Sequence, residues 1–294
     1  MSLHKHRFLP VATLLLIASA TTAQADNFAQ FDTRLRYDSN LGNAKRPYIV
    51  SDSSLMTSFS IGQQHFIDDS NFNFSYAAKL SNESFNQLTG LSRSGAGLQI
   101  NGKNKFGIGP YAPSVSLGFG LERQAFRDKE RNATSHQIEL KASKRLSASF
   151  NLWGSVTTEK NHADHQERVE YYVPGTTFET SNRVYKLNLD FAQNESSIWN
   201  ISYAIRRGDV LVTTKADVAY IYAIARAIRP DNSFGANRDI YRLDGSTQTL
   251  SAGLTHGIDS NWSVNVNLQK HWTTIPRGTN YQRHVLALSA SYQF

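Results

Sequence analysis

Nine histidines, many serines and no cysteine bound the chemistry this chain of 294 residues could perform. Without Cys there is no thiolate nucleophile, no zinc–thiolate site and no redox pair. Nucleophilic catalysis would need a Ser beside a His and a third group to orient the ring. Ser135 and His136 are adjacent, so on a strand they point to opposite faces. Ser289 and Ser291 have no His at a useful spacing, His284 being too far along, and His271 has no Ser beside it. No triad is read, no catalytic residue is assigned, and the chain is not expected to be an enzyme.

Metal ligation has two candidates. Residues 161–167, NHADHQE, hold His162 and His165 with Asp164 and Glu167, all ligand types. The spacing is loose and the stretch is polar throughout, so it is expected to be a solvated loop. Residues 38–43, DSNLGN, offer oxygens of the kind calcium takes, short of the full acidic run. A Gly/Asn-rich turn fits them better. No metal and no cofactor is expected.

The charges that recur at regular places are more informative. Arg34, Arg36, Lys79, Lys141, Lys186, Arg206 and Arg283 stand against Asp32, Glu122, Glu139, Glu159 and Asp190. Each falls on the polar parity of a segment whose other parity is apolar. Phe31, Thr33, Leu35 and Tyr37 oppose Asp32, Arg34 and Arg36; Phe72, Phe74, Tyr76, Ala78 and Leu80 oppose Asn73, Ser75 and Lys79. Ile138 and Leu140 oppose Glu139 and Lys141; Tyr185, Leu187, Leu189 and Phe191 oppose Lys186 and Asp190. A period of two is a strand with one wet and one apolar face. The pattern recurs from end to end and gives about twelve strands of about ten residues, a length that crosses a bilayer at a tilt.

The links between strands alternate in length. Those near residues 68–71, 103–110, 144–147, 192–196 and 257–261 are short. Those at 38–54, 81–91, 125–133, 160–182, 207–239 and 273–280 are long. A membrane barrel sorts its links this way because its two rims face different compartments. Closure also removes every sheet edge, which lipid requires. The expectation is an all-β transmembrane antiparallel barrel over residues 26–294, with both termini in the periplasm. Aromatic residues at strand ends are expected to form two girdles: Phe66, Phe72, Trp199, Trp262 and Tyr292 at the short-link rim, and Tyr37, Trp272 and Tyr281 at the other.

The first residues support an envelope protein. Lys5 and Arg7 precede an apolar run at 8–20, followed by Ala23-Gln24-Ala25. That is the form of a signal peptide over residues 1–25, cut after Ala25. No other apolar run approaches the ~18 residues of a membrane helix. Net charge is +7 and mean hydropathy is −0.43. The cations are scattered, so nucleic acid is not an expected partner.

The chain ends HVLALSASYQF, with Leu286, Leu288, Ala290, Tyr292 and Phe294 on one parity. A terminal Phe with apolar residues two, four, six and eight positions earlier resembles the C-terminal signal of bacterial outer-membrane barrels. The resemblance implies a Gram-negative outer-membrane protein whose Tyr292 and Phe294 are read by the barrel assembly machinery. It also implies that the last strand pairs with the first. Residues 35–44, LRYDSNLGNA, look like the first-strand end of several barrel families, including surface-lipoprotein translocons and polysaccharide-export barrels. Outer-membrane phospholipases are similar in strand number, but their His and Ser lie two residues apart, a spacing not found here.

These readings imply a porin-like barrel, a narrow passive channel for small polar or anionic solutes. Asp32, Arg34, Arg36, Lys79, Glu122, Glu139, Lys141, Lys186, Arg206 and Arg283 are expected to line the lumen, with Arg34 paired to Asp32 or to the closing strand. The alternatives are a surface or assembly-associated barrel that works through its loops, or an enzyme acting on lipid. Outer-membrane lipid, the assembly machinery and a small polar or anionic solute are the expected partners. In the longest link, Val218, Ile221, Tyr222, Ala225 and Ile228 follow one face of a helix, while Val218, Tyr220, Tyr222 and Ile224 alternate as a strand would; the helix is the expectation. That helix is expected to fold over or into the outer end of the pore.

Overall fold

The computed structural model describes residues 23–67, 70–165, 168–170, 173–215, 219–276 and 279–294. The expected leader therefore lies almost wholly outside the described residues. The strands are β1 (Ala23–Asp38), β2 (Asp52–Ile67), β3 (Phe72–Phe85), β4 (Arg93–Lys105), β5 (Ser114–Phe126), β6 (Ala133–Arg145) and β7 (Phe150–Ala163). There follow β8 (Arg168–Glu170), β9 (Val173–Gly175), β10 (Thr180–Ala192), β11 (Ser197–Lys215), β12 (Ala227–Pro230), β13 (Arg238–Gly257), β14 (Trp262–Ile275) and β15 (Thr279–Gln293). β8 and β9 make a separate small hairpin, and β12 is added to the edge of β13. The other twelve strands form a closed antiparallel wall.

Closure is direct. β1 pairs with β15 from Gln30↔Gln293 to Asp38↔Val285, and β11 pairs with β13 over its whole length. The final strand is thus held on both sides, by β1 and by β14. The pairings Ala23↔Ile67 and Gln30↔Gln293 put both ends of the described chain at the rim of short turns.

Register fixes which parity faces out, because a slip of one residue would exchange the faces. Leu35, Leu80, Leu117, Leu187, Ile201 and Leu268 are each more than half exposed, and they belong to strands around the whole wall. Ser58, Ser155, Thr157, Asn188, Ser202 and Ser251 are buried on the other parity. A cylinder polar inside and apolar outside is inverted with respect to a water-soluble barrel. Each large exterior side chain removed from water contributes roughly 1.5–3 kcal/mol, which a lipid surround supplies.

The wall strands run from 13 to 20 residues, longer than the ten or so that alternation suggests. Alternation registers only the lipid-facing band. Above it, outside the β11–β13 pair, most residues on both faces are polar, and pairing continues because nothing in the sequence interrupts it. The extreme case is β11 and β13, which extend past the ends of β10 and β14 as a ribbon. The ribbon departs at Gly208, where φ is 130° and a Cβ would lie 2.2 Å from the Ser181 carbonyl oxygen. Only glycine meets both conditions.

The apolar cluster of the molecule lies on this ribbon. Val210, Val212, Tyr241 and Leu243 pack with Ile221, Ile228, Ile275 and Tyr281. The expected helix is corrected here: α1 (Ala219–Tyr222) is a single turn, and Ile228 lies in β12, paired to Tyr241. Val218 lies outside the described residues. The apolar residues of the segment are covered as expected, but an open edge of β13 offers backbone partners that an isolated helix does not. Two aromatic assignments also change, since Tyr281 is buried in the cluster and Phe66 shares the inward parity.

Candidate functional site

All ten residues expected to line the lumen fall on the inward parity, spread round the wall. Asp32 lies opposite Ser58 and Ser291, Arg34 opposite Met56 and Ser289, and Arg36 opposite Ser54 and Ala287. Lys79 faces Gly97, which faces Glu122; Glu139 and Lys141 face Thr157 and Ser155. Lys186 also faces Ser155, Arg206 faces Thr247, and Arg283 faces His271.

Their partners are not the ones charge alone suggests. Asp32 accepts hydrogen bonds from Gln30 at 2.8 Å, from Ser58 at 3.5 Å and from Ser291. Glu122 accepts from Ser81 at 3.1 Å and Glu139 from Thr157 at 3.2 Å. Asp190 accepts from Asn151 at 3.0 Å, from the Trp153 indole at 3.2 Å and from Asn188. These carboxylates are satisfied by neutral donors. The expected Arg34–Asp32 pair is absent among the described residues, and neither Arg34 nor Lys79 has a carboxylate within ion-pair distance there. Lys141 and Lys186 lie over the Trp153 ring at 4.1 and 4.9 Å. The cations that do pair are Arg36, 2.6 Å from Asp38, Arg206, 3.3 Å from Glu159, and Arg283, 3.7 Å from Asp38. Arg93 with Glu83, at 3.0 Å, is an inward pair the sequence reading missed. Arg93 opens a strand rich in Gly, Asn and Ser whose alternation is weak, and its signal was the parity it shares with Gly95 and Gly97.

At the long-loop end of the lumen lies a partly open cavity of about 490 Å³. Arg206, Arg283, His271 and the hydroxyls of Thr247, Thr249 and Thr273 form its wall. Leu41, Leu91, Arg131 and Phe234, each from a different loop, cover it. His271 is held by a 2.8 Å contact between Nδ1 and Thr249 Oγ1, while its Nε2 and the Nε of Arg283 are buried without a hydrogen-bond partner.

The cover is tied across the rim. Arg131, in the loop after β5, donates to both oxygens of Asp231, which also accepts from Thr213 at 2.8 Å. The guanidinium carbon lies 4.6 Å from the centre of the Phe178 ring. Ser233 donates to Asp128 at 2.8 Å, and the Thr213 amide donates to the Gly42 carbonyl at 2.7 Å. Just outside, Arg229 meets Glu130 at 2.8 Å and holds its carboxyl below the usual carboxylate range. The segment after β11 therefore lies over the mouth of the lumen.

The remaining sequence candidates are dispersed. His162 meets His136 ring to ring, Asp164 pairs with Arg123, and His165 lies 3.6 Å from Glu130. Glu167 lies outside the described residues. The Asn40 side chain bonds Ala44 and the Gln282 carbonyl, and Asn43 has φ 49°, as a turn requires. Ser197 and His256, paired across strands at 2.9 Å, are a contact no local spacing reveals; no third group orients that ring among the described residues. At the end of the chain Tyr292 meets Trp262, and Phe294 sits edge-on to Phe59 and Tyr292 with its amide donating to Ala29.

The chain matches no protein-family model and no curated protein. Solved structures resemble it in fold. An outer-membrane channel from Pseudomonas putida F1 is 8% identical over 91% of this chain and 96% of its own, with a TM-score of 0.57. The β-domain of a Bordetella autotransporter is 9% identical over 92% and 100%, with a TM-score of 0.46. An anion-selective porin from Comamonas acidovorans is 10% identical over 92% and 100%, at 0.42. A closed register, an apolar exterior and the fold of an outer-membrane barrel make this chain a twelve-stranded β-barrel of the Gram-negative outer membrane.

Proposed function

We propose that the barrel is a narrow passive channel for small polar solutes that favours anions, with both termini in the periplasm and the long loops outside. The observation that carries this reading is the asymmetry of the inner face. Asp32, Glu122, Glu139 and Asp190 accept from neutral donors, whereas among the described residues Arg34 and Lys79 have no carboxylate within ion-pair distance and Lys141 and Lys186 lie over an indole. Rings of Arg and Lys facing a wet lumen favour anions. The cavity under the loops, with Arg206, Arg283 and His271, is the entry in this reading. The barrel assembly machinery inserts the protein, and neither a cofactor nor catalysis belongs to its role.

Planar-bilayer recording of the refolded protein under a salt gradient tests the proposal. Discrete steps with a reversal potential displaced toward the anion support it, and cation preference sinks it. A silent membrane favours a second reading, a surface barrel that acts through its loops. The ties across the rim, Arg131 to Asp231 above all, are what speak for that alternative.

A further inference from the structure

The outward face carries charge of its own. Arg123, His136, Lys160, His162, Arg183 and Arg207 stand on five consecutive wall strands, β5, β6, β7, β10 and β11. Their pairings place them on the lipid-facing parity: His136 is opposite Lys160, Thr134 lies between Arg123 and His162, and Arg183 is opposite Arg207. Two positions below them on the same strands come Leu121, Ile138, Thr158, Tyr185 and Ile205. From Phe191 to Arg183, and from Trp199 to Arg207, the chain climbs roughly 20 Å at ~3.3 Å per residue and a tilt of ~40°. The cations thus stand at the upper edge of the apolar band, which in such barrels is ~25 Å tall.

Asp164 occupies Arg123, but Lys160, Arg183 and Arg207 are exposed and have no carboxylate partner among the described residues. Of the carboxylates beyond them, Asp209, two positions past Arg207, and Asp244, opposite Asp209, each lie 3.3 Å from Arg226, and Glu179 lies beyond the start of β10, four positions from Arg183. The rest of the circumference differs. Ser53, Ser84, Ser94, Ser246, Thr274 and Asn280 occupy the outward parity near the same rim, with Lys270 and His284 the exceptions. A cationic array on one arc of a lipid-facing wall has no use for acyl chains. It matches anionic headgroups, and arginine takes phosphate oxygens in pairs.

We propose that this arc binds a phosphorylated glycolipid of the outer leaflet, its phosphates on Lys160, Arg183 and Arg207 and its acyl chains along Ile138, Val156, Tyr185 and Ile205. The inference is independent of conduction and rests only on the long loops facing outward. Native mass spectrometry of the full-length barrel, released from micelles containing equal amounts of lipid A and phosphatidylglycerol, tests it. The expected result is at least tenfold greater retention of lipid A. That preference is lost in Lys160→Glu/Arg183→Glu/Arg207→Glu and kept in Lys270→Glu, on β14 outside the arc. Should the triple variant fail to fold to a heat-modifiable band, Arg183→Gln/Arg207→Gln serves, with a loss of at least threefold expected. Retention unchanged in a folded variant, equal loss in Lys270→Glu, or phosphatidylglycerol held as well as lipid A would each overturn the proposal.

Discussion

The Arg131 guanidinium lies 2.7 Å from both carboxylate oxygens of Asp231, across the rim of the barrel and a hundred residues along the chain. Their side chains are 9% and 1% exposed. Breaking one side of an isolated buried pair costs about 3–5 kcal/mol; here the cost of losing Asp231 is smaller, because Arg131 keeps Asp128 at 3.4 Å. Asp231→Ala is therefore expected to free the segment over the mouth. Single-channel conductance should rise and trypsin should cut the loops faster, while the wall stays heat-modifiable. Unchanged conductance with accelerated cutting would show that the segment is surface architecture and no constriction.

Arg34 and Arg36 share one face of β1 but differ in their partners, and the difference predicts an order of effect. Arg36 is neutralised by Asp38 at 2.6 Å, whereas Arg34 is not. Arg34→Glu alone should give most of the shift of reversal potential toward cations seen in Arg34→Glu/Arg36→Glu. A conducting double variant with the parental reversal potential would remove both residues from the conducting path.

Phe294 is two-thirds exposed, and its ring rests on Phe59 and Tyr292 where β15 closes on β1. Deleting it, or changing it to Lys, should reduce outer-membrane levels several-fold and induce envelope stress. Refolding in detergent should be little affected, since one exposed ring near an interface contributes only ~1 kcal/mol. Normal levels in the membrane would count against recognition of this terminus by the assembly machinery.

Acid should loosen the loops. Arg229 holds the Glu130 carboxyl below its ordinary value, with His165 adding to the effect. A carboxyl lowered in the folded state stabilises at pH values above the ordinary carboxylate range, and that contribution disappears as pH falls through the lowered value. Protease protection of the loops is expected to be full at neutral pH and to decline in acid. Glu130→Gln should lower protection at neutral pH and flatten the profile. An acid profile identical in that variant would assign the change to other carboxylates.

The inner face is legible in the amino-acid order because it depends on a period of two. Once Leu35 is outside, Arg34 and Arg36 are inside, and the same holds on each wall strand with clear alternation. Strand number and the closing pair of β1 with β15 follow from the same pattern together with the parity of link lengths. Where alternation is weak, as in the glycine-rich β4, the pair of Arg93 and Glu83 leaves no such trace. The helix expected after β11 fails for a related reason. A short apolar run can read as helix or strand, and the open edge of β13 decides between them.

The amino-acid order by itself determined the barrel, its two faces and the excess of cations within, because these follow from local alternation repeated along the chain. The covered mouth, the Arg131–Asp231 tie and the satisfaction of Asp32, Glu122, Glu139 and Asp190 by neutral donors were decided only in the tertiary structure. Each joins residues of separate strands or loops. Such contacts depend on how the closed wall brings the loops over one another, and no periodicity in the chain records that distance.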